Sequence, residues 1–258
     1  MNITVLGAGA FGQALGSILE SKGHQVTYYS RSREITLEDA LAKAELLLLA
    51  IPSKALPELL PQLPTHLPLI VATKGILDIN IFQQFQDIMV LSGPGFAVDI
   101  NHHQPTQLTA TDQRIIDLFA TDWLTFDFTT DLRGVLLCGA LKNVYAIMAG
   151  LQNLQPGTPA HEQYLSAALA EMRTILAMNQ ADATTVDLVC GQGDLRITCY
   201  YPSRNYEFGQ KLISNPDYQP EKTVEGVSAL KQIKQGIIKI PATAIIMKQL
   251  IERSTKWA

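Results

Sequence analysis

The stretch that decides the fold is Ile3-Thr4-Val5-Leu6-Gly7-Ala8-Gly9-Ala10-Phe11-Gly12. A short apolar run, typical of a buried strand, leads directly into glycines spaced G-x-G-x-x-G at the start of a helical pattern. In this spacing Gly7 permits the tight turn, Gly9 lets a pyrophosphate approach the backbone, and Gly12 lets the helix pack closely on the strand. The helix N-terminus then offers free N–H groups to phosphates. The stretch predicts a dinucleotide-binding loop; a glycine-rich turn without a ligand is the alternative.

The rest of the chain divides into two patterns. Up to about residue 130, short apolar runs alternate with helical patterns, which is typical of a mostly parallel sheet. The predicted strands are 2–6, 25–29, 45–51, 69–73, 88–91, 107–110 and 125–129. The predicted helices of the second half are 132–154, 160–180, 206–214, 223–235 and 242–253. We therefore expect an α/β protein with a Rossmann-like dinucleotide-binding domain (1–130) and an all-helical C-terminal domain (131–258). This is the arrangement of 6-phosphogluconate-dehydrogenase-like proteins, and we expect a ligand cleft between the domains.

The segment after the second predicted strand indicates which dinucleotide is preferred. Sites for NAD(H) commonly carry an acidic residue there, whereas a 2′-phosphate favours arginine. Here the segment Ser30-Arg31-Ser32-Arg33 has no acid before Glu34. The sequence therefore favours NADP(H), with NAD(H) tolerated. Two solvated loop arginines are the alternative.

A lysine stands in the most apolar part of the chain. The run from Val135 to Met148 is apolar on every side except for Lys142 and Asn143, and a helix that is apolar all round is a buried helix. Taking an ammonium out of water costs several kcal/mol unless it is paired. Burial also makes a lysine a proton donor near neutral pH. Lys142 is therefore a candidate catalytic residue; a structural ion pair, or an amine that reaches solvent, are the alternatives.

Composition excludes several classes of function. The 258 residues carry a net charge of −4, which argues against broad nucleic-acid binding. The three cysteines are scattered and form no C-x-x-C pair, which favours reduced thiols and a cytoplasmic protein. The histidines show no metal-ligand spacing, so we expect no metal. We expect no signal peptide, because the first apolar run has no basic leader and turns at once into a glycine-rich loop, and no membrane span, because a lysine and an asparagine interrupt the long apolar run.

With these residues in view, the chain resembles the bacterial-type NAD(P)-dependent glycerol-3-phosphate dehydrogenases. The resemblance runs nearly end to end, and its segments occur in the family's order. The matching segments are Ala72-Thr73-Lys74-Gly75, Ser92-Gly93-Pro94-Gly95-Phe96-Ala97, Gly139-Ala140-Leu141-Lys142-Asn143-Val144, Gly191-Gln192-Gly193-Asp194-Leu195, Ser203-Arg204-Asn205 and Val224-Glu225-Gly226.

The resemblance implies reversible reduction of dihydroxyacetone phosphate to sn-glycerol 3-phosphate, a precursor of glycerophospholipids. It implies that Lys142 transfers the proton, that Asp194 pairs with it, and that Lys74 adds positive charge where the oxyanion develops. The implied substrate contacts are Lys74, Gly93, Lys142, Asp194, Ser203, Arg204 and Asn205, with Arg204 gripping the phosphate. The implied cofactor contacts are Gly7, Gly9, Ala10, Phe11, Gly12, Arg31, Lys74, Ala97, Arg204 and Glu225.

The sequence also departs from the family. The segments 31–45 and 152–163 are shortened or replaced, and Gly95 stands where Ser or Thr is usual, which puts specificity in question. Two other functions stay open: a related two-domain NADP-dependent reductase of another small ketone or keto acid, and a nucleotide-binding protein that has lost turnover. The apolar helices of the second half fit a homodimer and a monomer equally well.

Overall fold

The computed structural model describes residues 1–200, 203–221 and 223–258, and the chain divides into two compact units. The first unit comprises Met1–Lys74 and Ile79–Leu132. The second comprises Gly75–Asp78 and Arg133–Ala258. The contiguous division expected from the sequence did not anticipate that the short segment Gly75–Asp78 belongs to the second unit.

The first unit is built on a seven-stranded sheet. Its strands are β1 (Asn2–Leu6), β2 (Gln25–Tyr29), β3 (Leu46–Leu49), β4 (Leu69–Val71), β5 (Ile88–Ser92), β6 (Thr106–Ala110) and β7 (Leu124–Phe128). The order is β2-β1-β3-β4-β5-β6-β7, and every neighbouring pair is parallel except β5 with β6. All seven predicted strands are confirmed, with ends shifted by at most two residues.

The position of β1 in this order matters for ligand binding. The chain runs from β1 to β2 on one side and returns to β3 on the other, so the strand order reverses between β1 and β3. In open sheets of this kind, ligands bind outside the carboxyl ends of the strands at such a reversal. All four leucines of β3 are buried, as expected of a parallel strand covered on both faces.

The helices of the first unit are α1 (Ala10–Ser21), α2 (Leu37–Leu41), α3 (Leu56–Leu59), α4 (Ala97–Asn101) and α5 (Gln113–Phe119). The Thr36 hydroxyl caps α2 by accepting a hydrogen bond from Asp39 N at 3.0 Å. The helices α4 and α5 were not predicted, because five to seven residues are too few to display a helical period.

The helices of the second unit are α6 (Leu132–Leu151), α7 (Pro159–Met178), α8 (Asp194–Thr198), α9 (Arg204–Ser214), α10 (Glu225–Lys234) and α11 (Ile245–Arg253). Every residue of α6 from Gly134 to Gly150 is buried. Within the part of the chain that the structure describes, α6 alone is long and apolar enough to cross a membrane, but 94% of its apolar window is buried inside the protein. It is therefore the core helix of this unit. The predicted end at residue 154 is wrong, because Asn153 takes a left-handed conformation (φ 49°) and the helix stops at Leu151.

A buried carboxylate on one helix of this unit accepts hydrogen bonds from two others. Glu171 of α7 accepts a hydrogen bond from the Tyr145 hydroxyl of α6 at 3.1 Å. It also accepts from the backbone N–H groups of Ile246 (2.6 Å) and Met247 (3.1 Å) in the first turn of α11. Burial, and then the charge of Glu171, raises the pKa of Tyr145 well above its usual range. The tyrosine therefore stays a neutral donor, and the carboxylate caps α11 from inside the core.

Replacing Glu171 tests this contact. Glu171→Ala leaves two buried donors and one part-buried donor without this acceptor and should lower the free energy of unfolding by about 2–4 kcal/mol. Glu171→Gln keeps one acceptor oxygen and should cost about half as much. Urea unfolding followed by circular dichroism measures both, with the exposed Glu252→Ala as control. An alanine variant as stable as the parent would show that the carboxylate does not hold these helices.

Candidate functional site

The glycine loop lies at the carboxyl end of β1, where the strand order reverses. Gly9 is the exposed N-cap residue of α1, with an extended backbone and no side-chain cap. The first turn of α1 contains no acidic side chain. The N–H groups at this helix end, together with the helix dipole, therefore suit an anionic ligand.

The three glycines of the loop have different surroundings. Gly7 has φ +119°, and a Cβ there would lie 2.3 Å from the carbonyl oxygen of Ala50, the residue after β3. A Cβ at Gly12 would lie 2.0 Å from the carbonyl oxygen of Gly7. A Cβ at Gly9 would meet no atom within 4 Å. Gly7 and Gly12 are thus required by packing within the protein, whereas the space before Gly9 is open to a ligand. This is the division of roles that a bound pyrophosphate requires.

The loop after β2 carries Arg31, which we predict to contact the 2′-phosphate of NADP(H). The Arg31 guanidinium donates a hydrogen bond to the Glu58 carboxylate at 3.0 Å, and the two side chains are 71% and 67% exposed. The Arg33 guanidinium lies 5.3 Å from the centre of the Tyr28 ring. An exposed ion pair contributes only about 0–1 kcal/mol, so Glu58 holds Arg31 weakly. Glu58 was not identified from the sequence, because it lies 27 residues from its partner.

Two predicted residues of the first unit, Gly93 and Phe11, contact the ammonium of Lys74. Its ammonium donates to the Gly93 carbonyl oxygen at 3.0 Å and lies 5.7 Å from the centre of the Phe11 ring. Phe11 and Ala97 both pack against the core of the first unit. The amine after β4 is therefore held between the loop that follows β5 and the first turn of α1. Cation–π contact and a hydrogen bond to a carbonyl both leave its charge intact.

In the second unit, Lys142 and Asp194 form a buried ion pair. Their side chains are only 5% and 3% exposed, and the Lys142 ammonium donates to Asp194 Oδ1. The predicted burial of Lys142 and its pairing with Asp194 are confirmed. Removing one partner of such a pair leaves an uncompensated buried charge, which costs about 3–5 kcal/mol. Neither side chain can therefore be lost without a marked effect on this part of the fold.

Local backbone geometry delivers Asp194 to this position. The segment Val189–Gly193 forms a π-helical turn that runs directly into α8, whose first residue is Asp194. Such turns are rare and occur frequently at functional sites. The sequence did not indicate the π-helical turn. Cys199, just after α8, is fully buried, and burial raises the pKa of its thiol although the charge of Lys142 opposes this. Cys199 is therefore a neutral thiol at physiological pH and does not compete with Asp194 as an anion.

The predicted phosphate-binding residues stand at the start of α9. Ser203 is the N-cap residue, and Arg204 is exposed, donating to the Thr223 carbonyl oxygen at 3.4 Å. Arg204 also lines a cavity of about 140 Å³ together with Lys211 and Tyr218. This leaves the guanidinium accessible to a ligand.

Asn205 behaves differently from its two neighbours. It is buried, its amide Nδ2 donates to Asn143 Oδ1 at 2.8 Å, and its Oδ1 accepts from Gly226 N at 2.9 Å. Asn143 Nδ2 in turn donates to Glu225 Oε2 at 3.1 Å. The described contacts of Asn205 are thus within the protein, and its direct contact with substrate stays a prediction. The sequence marks Asn143 as a polar residue of an apolar helix and as part of a family-like segment, but does not indicate these partners.

The remaining predictions concern the cysteines and a metal site. Cys138, Cys190 and Cys199 are buried thiols that take part in no disulfide. Over residues 1–200, 203–221 and 223–258, no group of three or more histidine, cysteine, aspartate or glutamate side chains could hold a metal ion.

Comparison with known proteins identifies the family of this chain. The family described as "NAD-dependent glycerol-3-phosphate dehydrogenase C-terminus" matches residues 131–255, and the corresponding N-terminus family matches residues 2–37 and 32–115. The chain is 34% identical over 253 residues to the "Glycerol-3-phosphate dehydrogenase [NAD(P)+]" of Acaryochloris marina, covering 88% of this chain and 82% of that protein.

Two solved structures share the fold. A glycerol-3-phosphate dehydrogenase from Coxiella burnetii has a TM-score of 0.77 at 22% identity, covering 97% of this chain and 94% of that one. The enzyme from Saccharomyces cerevisiae has a TM-score of 0.83 at 17% identity, covering 100% and 96%. The N-terminal Rossmann-like domain and the helical C-terminal domain are thereby confirmed. Taken with the family matches over both halves, the chain belongs to the NAD-dependent glycerol-3-phosphate dehydrogenase family.

Proposed function

We propose that the protein catalyses the reversible, NAD(P)H-dependent reduction of dihydroxyacetone phosphate to sn-glycerol 3-phosphate. The single observation that carries this proposal is the buried ion pair of Lys142 and Asp194 in a chain with an open dinucleotide loop at Gly9. The glycine loop would hold a reduced nicotinamide cofactor, which when bound would supply the hydride for the ketone carbon. The residues of the chain then have to bind the phosphate, stabilise the developing oxyanion and provide one proton.

Lys142 is the group we assign to proton transfer. Its ammonium gives a proton to the ketone oxygen as the alcohol forms, and its neutral amine takes that proton back in the reverse reaction. Asp194 fixes the amine in place and stabilises its charged form. Lys74, held by Gly93 and Phe11, adds a second positive charge for the oxygen on which negative charge develops.

Arg204 is the group we assign to the substrate phosphate, with Ser203 and Asn205 beside it. A guanidinium offers several N–H donors in a planar fork that matches phosphate oxygens. Its exposure and its long contact to Thr223 leave those donors available. A phosphate anchor also argues against the alternative of a related reductase for an unphosphorylated keto acid. The buried pair of Lys142 and Asp194 argues against a nucleotide-binding protein that has lost turnover.

For the cofactor, we propose that NADP(H) is preferred and NAD(H) accepted. The residues at the end of β1 fit a pyrophosphate, since a side chain at Gly9 would fill otherwise open space. Arg31 is exposed and weakly held, and would take the 2′-phosphate. Ala10, Phe11, Ala97 and Glu225 complete the proposed cofactor contacts.

The wider setting is also a proposal. We assign dinucleotide binding to residues 1–130 and substrate binding to residues 131–258. The phosphorylated product would serve glycerophospholipid synthesis in the cytoplasm, and a homodimer is compatible with the helical unit.

The first prediction about the proposed function concerns Lys142. Lys142→Arg keeps a positive charge opposite Asp194, but a guanidinium stays protonated and cannot deliver a proton. We expect kcat for dihydroxyacetone phosphate to fall by about 10²–10⁴-fold, while NADPH binding, followed by its fluorescence, changes little. Asp194→Asn is the matched variant on the other side of the pair. Turnover near the parental rate in Lys142→Arg would remove this residue from proton transfer.

The second prediction separates the glycines. Gly9→Ala should fold with an unchanged melting temperature, because its methyl group meets no protein atom, and should weaken NADPH binding by about tenfold or more. Gly12→Ala should lower the melting temperature, because its methyl group collides with the Gly7 carbonyl oxygen. Thermal unfolding with and without NADPH measures both effects. If Gly9→Ala binds NADPH as the parent does, the loop is not the pyrophosphate site.

The third prediction concerns cofactor preference. Arg31→Ala should weaken NADPH binding about 10–100-fold and NADH binding much less, because only NADPH carries the 2′-phosphate. Glu58→Gln should strengthen NADPH binding by up to about fivefold, since Arg31 is then released from an exposed ion pair. Fluorescence titration of each reduced nucleotide gives the dissociation constants. Equal losses for NADH and NADPH in Arg31→Ala would overturn the assignment.

A further inference from the structure

Asn143 is the residue after Lys142 in the buried helix α6, and its amide is fully engaged. Nδ2 donates to Gly139 O at 3.2 Å and to Glu225 Oε2 at 3.1 Å. Oδ1 accepts from Asn205 Nδ2 at 2.8 Å. The residue is only 2% exposed. Asn143 therefore links the middle of α6 to the first turns of α9 and α10.

The direction of these hydrogen bonds is fixed by their chemistry. If the Asn143 amide were reversed, its oxygen would face the two acceptors Gly139 O and Glu225 Oε2, and its nitrogen would face the Asn205 nitrogen. On the far side, Asn205 Oδ1 accepts from Gly226 N at 2.9 Å. Each amide thus determines the orientation of the next. The relay, defined as Glu225–Asn143–Asn205–Gly226, has one low-energy arrangement.

The relay joins neighbours of functional residues. Asn143 is bonded through the backbone to Lys142, and Asn205 is bonded through the backbone to Arg204. The hydrogen bond between the two asparagines therefore sets the spacing between the proposed proton donor and the proposed phosphate anchor. A displacement of about 1 Å in such a constellation can cost a factor of about 100 in rate.

We propose that Asn143 is a positioning residue that acts through Asn205 to hold Arg204 in register with Lys142. The same amide also holds Glu225, which is one of the proposed cofactor contacts. The proposal rests on the proposed function, because it requires Arg204 to bind the substrate phosphate. The backbone contact of Gly226 with Asn143 O, where a Cβ would lie at 2.5 Å, already holds α10 against α6. The hydrogen bonds of the two amides are therefore not needed to pack α10 against α6, and we assign them to the positioning of Arg204.

The experiment compares a phosphorylated and an unphosphorylated ketone in full-length variants. Arg204→Ala should lower kcat/KM for dihydroxyacetone phosphate about a hundredfold more than for dihydroxyacetone. Asn143→Leu keeps the side-chain volume but removes the hydrogen bonds. It should lower kcat/KM for dihydroxyacetone phosphate at least tenfold more than kcat/KM for dihydroxyacetone. In the Arg204→Ala background, adding Asn143→Leu should cause little further loss for dihydroxyacetone phosphate, because both changes remove one function.

A second variant guards against a folding failure. Asn143→Asp keeps the acceptor for Asn205 Nδ2 but turns its other oxygen towards Gly139 O and Glu225 Oε2, so its melting temperature is measured beside its kinetics to confirm that it folds. It should preserve the selectivity for the phosphorylated ketone and weaken NADPH binding measured by fluorescence.

The outcomes separate a failure of the proposed phosphate anchor from a failure of the positioning role. If Arg204→Ala affects both ketones equally, the phosphate anchor of the proposed function is wrong. If Arg204→Ala is selective but Asn143→Leu affects both ketones equally, or its effect adds fully to that of Arg204→Ala, the positioning role of Asn143 is overturned. Loss of phosphate selectivity in Asn143→Asp would overturn it as well.

Discussion

A single constraint organises the helical unit: one cation is buried in the middle of an apolar core helix and has to be compensated there. Lys142 is 4% exposed and Asp194 is 2% exposed, so water contributes little to stabilising either charge. The surrounding structure meets this requirement with unusual local geometry, since a π-helical turn leads into the short helix that carries Asp194. In the same unit, Glu171 joins α6, α7 and α11, and the buried thiol of Cys199 stays neutral. Two buried carboxylates, those of Asp194 and Glu171, thus each accept hydrogen bonds inside this unit.

The first unit has a different feature, which is a loop that leaves space open at Gly9. Gly7 and Gly12 are needed so that the turn and the first helix can close on the sheet, but the space before Gly9 is not used by the protein. Lys74 is likewise placed by a hydrogen bond to a carbonyl oxygen and by an aromatic ring. The open helix N-terminus after β1 suits an anionic group. The helical unit thus contains a buried ion pair, whereas the first unit contains a loop that leaves space at Gly9.

Much of the fold could be predicted because it follows from local patterns. The seven strands appear as short apolar runs, and α6 appears as a helix without a polar face. The failures have local causes too. The helices α4 and α5 are too short to show a period, and α6 ends early because Asn153 adopts a left-handed conformation. The candidate site was predictable only in part: the burial of Lys142 followed from its neighbours, whereas the roles of Asp194, Arg204 and Glu225 came from resemblance to a family.

Local sequence patterns specify the seven strands and the long helices in their order along the chain, the glycine loop after β1 and the burial of Lys142, because each depends on residues within a few positions of one another. The packing of the folded chain determines which groups meet across long separations. Asp194 reaches Lys142 over 52 residues, Asn205 reaches Asn143 over 62, and Glu225 reaches Asn143 over 82. It also decided that β6 runs antiparallel to β5 and that Glu58 lies against Arg31. A local pattern fixes the conformation of a segment, but the partner of a side chain depends on how distant segments pack, and no short stretch of sequence contains that information.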